Sequence, residues 1–210
     1  MAKQPTSGKQ PEVIFKPKNV AQRKMQAIWS HSRIIFAIGK AGTGKSHAAL
    51  ALALMDRRPP LWLCRPAISC GEELGFEPGT LDEKLLSWMA PFADVLSSMS
   101  FEKLDKLIDK INCEALSVGR LRGRTVNGTL IVDEAQNLSR AQLTCVLTRL
   151  GEHGKIVICG DPGQSDLSHS PLEEVADSIK DLEGVAQVDF PIDGCCRDPL
   201  VVKILERLEK

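Results

Sequence analysis

The chain carries no net charge: 27 Lys and Arg residues balance 27 Asp and Glu residues over 210 positions. It therefore lacks the strong overall basicity of many nucleic-acid-binding proteins, and any surface for a polyanion has to be local. It also lacks a signal peptide and a long apolar run, so no membrane association is expected. Its seven cysteines, at 64, 70, 113, 145, 159, 195 and 196, are odd in number and show no C-x-x-C spacing. The four histidines have no ligand spacing either, so no zinc site is expected. Cys64 and Cys159 fall in apolar strand-like runs, and the set reads as reduced structural thiols of a cytoplasmic protein. Cys195-Cys196 is the one adjacent pair. No internal repeat is evident.

Charge is unevenly spread within this balance. Residues 1–30 hold Lys3, Lys9, Lys16, Lys18, Arg23 and Lys24 against Glu12 alone. Arg120, Arg122 and Arg124 follow one another at 118–126 without a carboxylate, whereas 173–183 is mostly acidic. Solvated surface is the usual meaning of such patches; Arg122 and Arg124 are nevertheless candidates for a basic nucleic-acid face.

Residues 39–46, GKAGTGKS, form a complete G-x-x-x-x-G-K-[ST] loop between an apolar strand-like run (Arg33–Ile38) and a strongly helix-forming one (His47–Met55). Gly39, Gly42 and Gly44 let the backbone curl so that its N–H groups face an anion, aided by the positive end of the helix that follows. Together with Lys40, Ala41, Thr43 and His47 they outline a nucleotide cradle. Lys45 would reach the β- and γ-phosphates, and Ser46 would place its hydroxyl on Mg²⁺. Downstream, Thr129–Val132 is an apolar strand delivering Asp133 and Glu134. An Asp at that position of a P-loop enzyme holds the Mg²⁺ shell, and the neighbouring Glu can activate water as a general base. A third strand-like run, Lys155–Cys159, leads through a tight turn to Gln164, which can sense the γ-phosphate and the lytic water from the carboxyl end of the sheet.

With these segments in view, the chain resembles the PhoH family of P-loop ATPases, whose core is related to superfamily 1 helicases. The resemblance rests on GKAGTGKS at 39–46, RPAISCGEELGFEPG at 65–79, RGRTVNGTLIVDEAQN at 122–137, LTRLG at 147–151, GDPGQSDL at 160–167 and CRDPLV at 196–201. The second and third stretches are far more distinctive than the loop. Two positions depart from the family pattern: Lys40 stands where proline is usual, and Asp198 where histidine is commoner. No stretch matches the PIN nuclease domain of some relatives, so no RNase activity is implied. The resemblance implies ATP and Mg²⁺ as cofactors, ATP hydrolysis coupled to RNA or single-stranded nucleic acid, and a helicase-like core. It further implies adenine recognition by Gln22 within Asn19-Val20-Ala21-Gln22 and an arginine finger at Arg197, with Arg149 as its competitor. Arg65, at the head of the second stretch, joins Arg122 and Arg124 as a candidate nucleic-acid contact. The rival readings are an ATP-gated switch that unwinds nothing and a small-molecule or protein kinase; Glu134 and Gln164, which suit an attacking water, disfavour the kinase.

The expected fold is α/β, a single RecA-like P-loop NTPase domain over 12–210 after a disordered tail at 1–11. Strands at 34–38, 61–64, 129–133, 155–159 and 185–190 alternate with helices at about 20–29, 45–56, 139–150, 171–182 and 199–209. This predicts a mainly parallel five-stranded sheet with helices on both faces, in the order 5-1-4-3-2 that the resemblance implies. An insertion at 65–128 separates the second and third strands and is read as helical at Leu81–Met99 and Phe101–Ile111. Within it Trp88 and Phe92 are spaced to stack on bases, although packing into the core is the commoner fate of such a pair. One RecA-like half leaves the site open on one side, which predicts a homo-oligomer, a ring of six being the natural closed form, with Arg197 supplied by the neighbour.

Overall fold

The computed structural model describes residues 15–66, 92, 112–196 and 198–208. Among them is a parallel six-stranded sheet in the order β3-β2-β4-β5-β1-β6. Its strands are β1 (Ile34–Gly39), β2 (Leu61–Arg65), β3 (Cys113–Ser117), β4 (Thr129–Val132), β5 (Lys155–Gly160) and β6 (Val185–Phe190). The expected order of five holds; the sixth strand, β3, is an addition beyond β2. It lies within the stretch expected to be an insertion, and pairs in parallel with β2 from Leu61↔Cys113 to Arg65↔Ser117. Its sequence, CEALS, has no β-branched residue, and only Leu116 is buried. Strand formation there comes from the pairing edge offered by β2 rather than from local propensity.

Side chains of successive strand residues go to opposite faces, and each face has its own core. Ile35, Ala37, Leu63, Ile131, Val157 and Cys159 pack on one side against the helices α1 (Val20–Ile28) and α2 (Lys45–Asp56). Ile34, Phe36, Ile38, Leu130, Val132, Ile156 and Ile158 pack on the other against α3 (Arg140–Leu147) and α4 (Leu172–Asp177). The final helix, α5, spans Pro199–Leu208. Helix α2 is apolar nearly all round and buried from Ala48 through Leu54, as a helix covered on several sides must be. Asn19 caps α1 by accepting from the Gln22 N–H, and Ser139 with Gln142 forms a capping box at the start of α3. Phe92 is 1% exposed and belongs to the α1–α2 core, so it packs rather than stacking on bases. Trp88, the two helices expected around it, the tail and Arg197 lie outside the described residues. Among the described residues no helix is long and apolar enough to cross a membrane.

Candidate active site

Four neighbouring strands, β1, β5, β4 and β2, release their chains at one edge of the sheet, and the polar residues gather there. This carboxyl edge is where open α/β sheets hold ligands. After β1 the backbone turns at Gly39, whose Cβ, if present, would lie 2.1 Å from the Phe190 carbonyl oxygen. Gly42 and Gly44 have φ of 76° and 83°, in the left-handed region that a side chain disfavours. Thr43 Oγ1 donates to the Lys40 carbonyl at 2.6 Å and closes the loop. Lys45 opens α2 and donates to the carbonyls of Gly39 at 2.6 Å and Lys40 at 2.8 Å. Burial lowers its pKa, against the pull of the nearby carboxylates of Asp161, Asp133 and Glu134.

Ser46, one residue on, donates to Asp133 Oδ1 at 2.6 Å. Asp133 is buried just beyond β4, and its N–H donates to the Cys64 carbonyl of β2 at 2.9 Å. Burial raises its pKa and the Ser46 hydrogen bond opposes that shift; Glu134 adds to it and Arg65 works against it. Glu134 adjoins it with φ of +54° and a half-exposed side chain. The sequence-expected set Lys45, Ser46, Asp133 and Glu134 is therefore assembled at one edge. Gln164 ends a short 3-10 turn, Pro162–Gln164, beyond β5 and is exposed. Lys40 comes close to that turn: a Cβ on Gly163 would stand 3.3 Å from its Nζ.

Several residues at this edge are quoted in the motif stretches without a role read from them. Asp161 accepts from the Ala41 N–H at 2.9 Å and from the Gly163 N–H at 3.1 Å, which ties the phosphate loop to the turn after β5. Gln136, 1% exposed, accepts from the Asp161 N–H at 3.1 Å and donates to Glu134 Oε2 at 2.7 Å. Asn137 and Asp166 exchange two hydrogen bonds, both of 2.8 Å, and so hold the two strand-end loops together. Their positions directly after strand ends were the available signal.

The protein-family model for PhoH-like protein matches residues 14–209. The chain belongs to the PhoH-like family. It is 40% identical over 207 residues to the PhoH-like protein of Synechocystis and 34% identical over 202 residues to that of Bacillus subtilis. These alignments take in 94% and 92% of this chain but 63% of each relative's length. Protein PhoH of Escherichia coli is 34% identical over 201 residues, covering 90% of this chain and 56% of its own. Among solved structures, the large terminase of a thermophilic bacteriophage superposes with a TM-score of 0.56 at 11% identity, over 93% of this chain and 51% of that one. That likeness supports the RecA-like fold alone. The phosphate-loop motif at 39–46 thus sits in a PhoH-like family domain.

In this PhoH-like chain the remaining expected residues divide between the loop and the opposite edge of the sheet. Gln22 is 2% exposed; its Oε1 accepts from the Lys18 N–H at 2.7 Å, and its Nε2 donates to the Thr43 and Gly44 carbonyls at 3.4 Å. In this arrangement it clamps α1 to the phosphate loop. His47 is half-buried with its ring centroid 6.1 Å from that of Phe15, and burial lowers its pKa, Lys18 adding to the effect. Arg65 points into the site rather than outward: its Nη2 is 3.1 Å from Glu134 Oε1. Arg124 lies apart from these residues. It donates to both oxygens of Glu114, at 3.1 and 2.9 Å, and lies over the Trp62 ring at 5.6 Å. Trp62 and Glu114 are paired near the amino ends of β2 and β3, so the Arg124 guanidinium sits towards the edge opposite the phosphate loop, already partnered. Arg122, in the same segment, is exposed. Arg149 follows α3, and its carbonyl accepts from Val126, ahead of β4, at 2.7 Å. It too lies at the amino edge, far from its own chain's loop.

Proposed function

We propose that this chain is a Mg²⁺-dependent ATPase that couples ATP binding and hydrolysis to single-stranded RNA. The observation that carries the reading is the 2.6 Å contact between Ser46 and Asp133, with Glu134 next in the chain. A hydroxyl and a carboxylate are hard oxygen donors of the kind Mg²⁺ takes, and the glycine cradle suits a phosphate chain. The residues therefore fit the pair of cofactors: Ser46 and Asp133 would hold the ion, and the 39–47 loop the phosphates. When bound, Mg²⁺ supplies charge neutralisation of the transferring phosphoryl group.

The protein's own residues do the rest in this reading. Lys45 exchanges its two carbonyl acceptors for phosphate oxygens. Glu134 accepts the proton of the attacking water, and Gln164 orients that water. Adenine recognition by Gln22 requires its amide to give up the Lys18 N–H and two long 3.4 Å contacts. Arg197 stabilises charge developing on the transferred phosphoryl group. The residue before it, Cys196, donates its N–H to the Gly42 carbonyl of the same chain at 2.9 Å. We take this hydrogen bond as support for an arginine acting on its own chain's site over the neighbour-supplied finger expected from length alone.

The test is ATP turnover by the purified protein with and without single-stranded RNA, with duplex unwinding followed in parallel. The reading predicts Mg²⁺-dependent turnover that RNA accelerates. Turnover indifferent to RNA would remove the coupling, and binding without any turnover would leave a nucleotide-gated switch.

A further inference from the structure

Glu134 is held on both oxygens of its carboxylate. Arg65, the last residue of β2, donates from Nη2 to Oε1 at 3.1 Å, and Gln136 donates from Nε2 to Oε2 at 2.7 Å. Nε of the same guanidinium lies 3.8 Å from Asp133 Oδ2, so one cation spans both carboxylates of the site. The two restraints differ in kind. Gln136 is buried, and its amide oxygen is fixed by the Asp161 N–H, which makes it part of the frame between β4 and β5. Arg65 reaches across from the neighbouring strand on a long side chain that is 22% exposed. While Nη2 donates to Oε1 and the Gln136 amide to Oε2, both oxygens that could accept from a water are already engaged. Glu134 also has its backbone at φ +54°, a conformation that a residue with a Cβ keeps only where its surroundings hold it.

We propose that Arg65 is a positioning residue that restrains Glu134, so that water activation proceeds when the guanidinium releases Oε1. The inference rests on Glu134 being the group that accepts the proton from water. It gives Arg65 a role inside the site, distinct from contact with nucleic acid.

The experiment compares single-turnover ATP hydrolysis and affinity for a non-hydrolysed ATP analogue in wild type, Arg65→Gln, Arg65→Lys, Glu134→Gln and Arg65→Gln/Glu134→Gln. Arg65→Gln is expected to hydrolyse faster by roughly 2- to 5-fold, the range for loss of partly exposed ion pairing, at unchanged affinity. Arg65→Lys keeps the charge without the fork and falls between wild type and Arg65→Gln; it serves alone if the Gln protein is unstable. In the Glu134→Gln background the Arg65 change adds nothing, because the restraint acts through Glu134. Slower or unchanged hydrolysis in the Arg65 variants at unchanged affinity overturns the proposal, as does equal acceleration in the Glu134→Gln background. Near-normal hydrolysis by Glu134→Gln alone is a different failure: it removes the base reading, and the restraint falls with it.

Discussion

Lys45 and Asp161 show how single side chains preset the phosphate loop. The ammonium of Lys45 bridges two carbonyls of its own loop, and the carboxylate of Asp161 takes the Ala41 N–H, so both ends of the curl are pinned. Lys45 is 8% exposed, and its removal would take a donor from the Gly39 and Lys40 carbonyls, the latter keeping only Thr43 Oγ1, as well as removing the cation proposed for the phosphates. Lys45→Ala should therefore weaken nucleotide binding by at least about 10-fold, since a hydrogen bond to a charged group is worth roughly 1.5–3 kcal/mol. Titration with a fluorescent ATP analogue checks this; wild-type affinity would show that the backbone alone carries the phosphates. Lys45, Ser46, Asp133 and Glu134 were legible because the chemistry demands those residue types at strand ends. Asp161 and Gln136 were not, because their partners are backbone N–H groups and a carboxylate that only the parallel register of β4 and β5 brings near.

Among the elements, the strands with continuous apolar sequence were read nearly to the residue, whereas β3 was missed because its stability is borrowed from its neighbour. β5 carries a further feature that its hydrophobic pattern hides. Lys155, its first residue, is 2% exposed and donates to the carbonyls of Trp29, at 2.5 Å, and Ser32, while lying 4.8 Å from the Trp29 ring centroid. It fastens the end of α1 to the sheet. Burial pushes its ammonium down from 10.5 to about 8; Asp56 opposes the shift, and Arg58 and Arg33 assist it. Between those values the unfolded chain binds more protons than the folded one, so unfolding free energy rises with pH from about 8 towards 10.5 and gains nothing from Lys155 below about 8. The thiols of Cys64 and Cys113, pushed from 9.0 to about 12 by burial, act in the opposite sense once pH passes about 9. The difference between wild type and Lys155→Met isolates the lysine. Denaturant unfolding across this range should show wild type gaining stability relative to the Met variant as pH rises through 8–10; a constant difference would mean that Lys155 keeps its proton.

For the whole molecule, the arrangement decides which parts must come from elsewhere. The phosphate loop, Asp133 and Glu134 lie on one chain, and the Cys196–Gly42 hydrogen bond ties the segment before Arg197 to the same loop. Glu134 is nonetheless half-exposed and Gln164 exposed, and water on that side would screen charges meant to stabilise a transition state. We therefore retain a homo-oligomer whose neighbour covers the open face, and propose that the arginine is supplied within each chain. Mixing Arg197→Ala with Lys45→Ala protein tests this directly. No recovery of turnover is expected after verified subunit exchange, because neither chain has a complete set; regained activity would return the arginine to the partner.

In the proposed mechanism Glu134 activates the water while the rest of the site binds nucleotide. ATP turnover by Glu134→Gln, measured beside analogue affinity in the same preparation, tests it most directly. Binding close to wild type is expected, with hydrolysis lowered by roughly 10²- to 10⁴-fold, the usual contribution of a general base. Hydrolysis within a few-fold of wild type at the same affinity would contradict it and turn attention to Gln164.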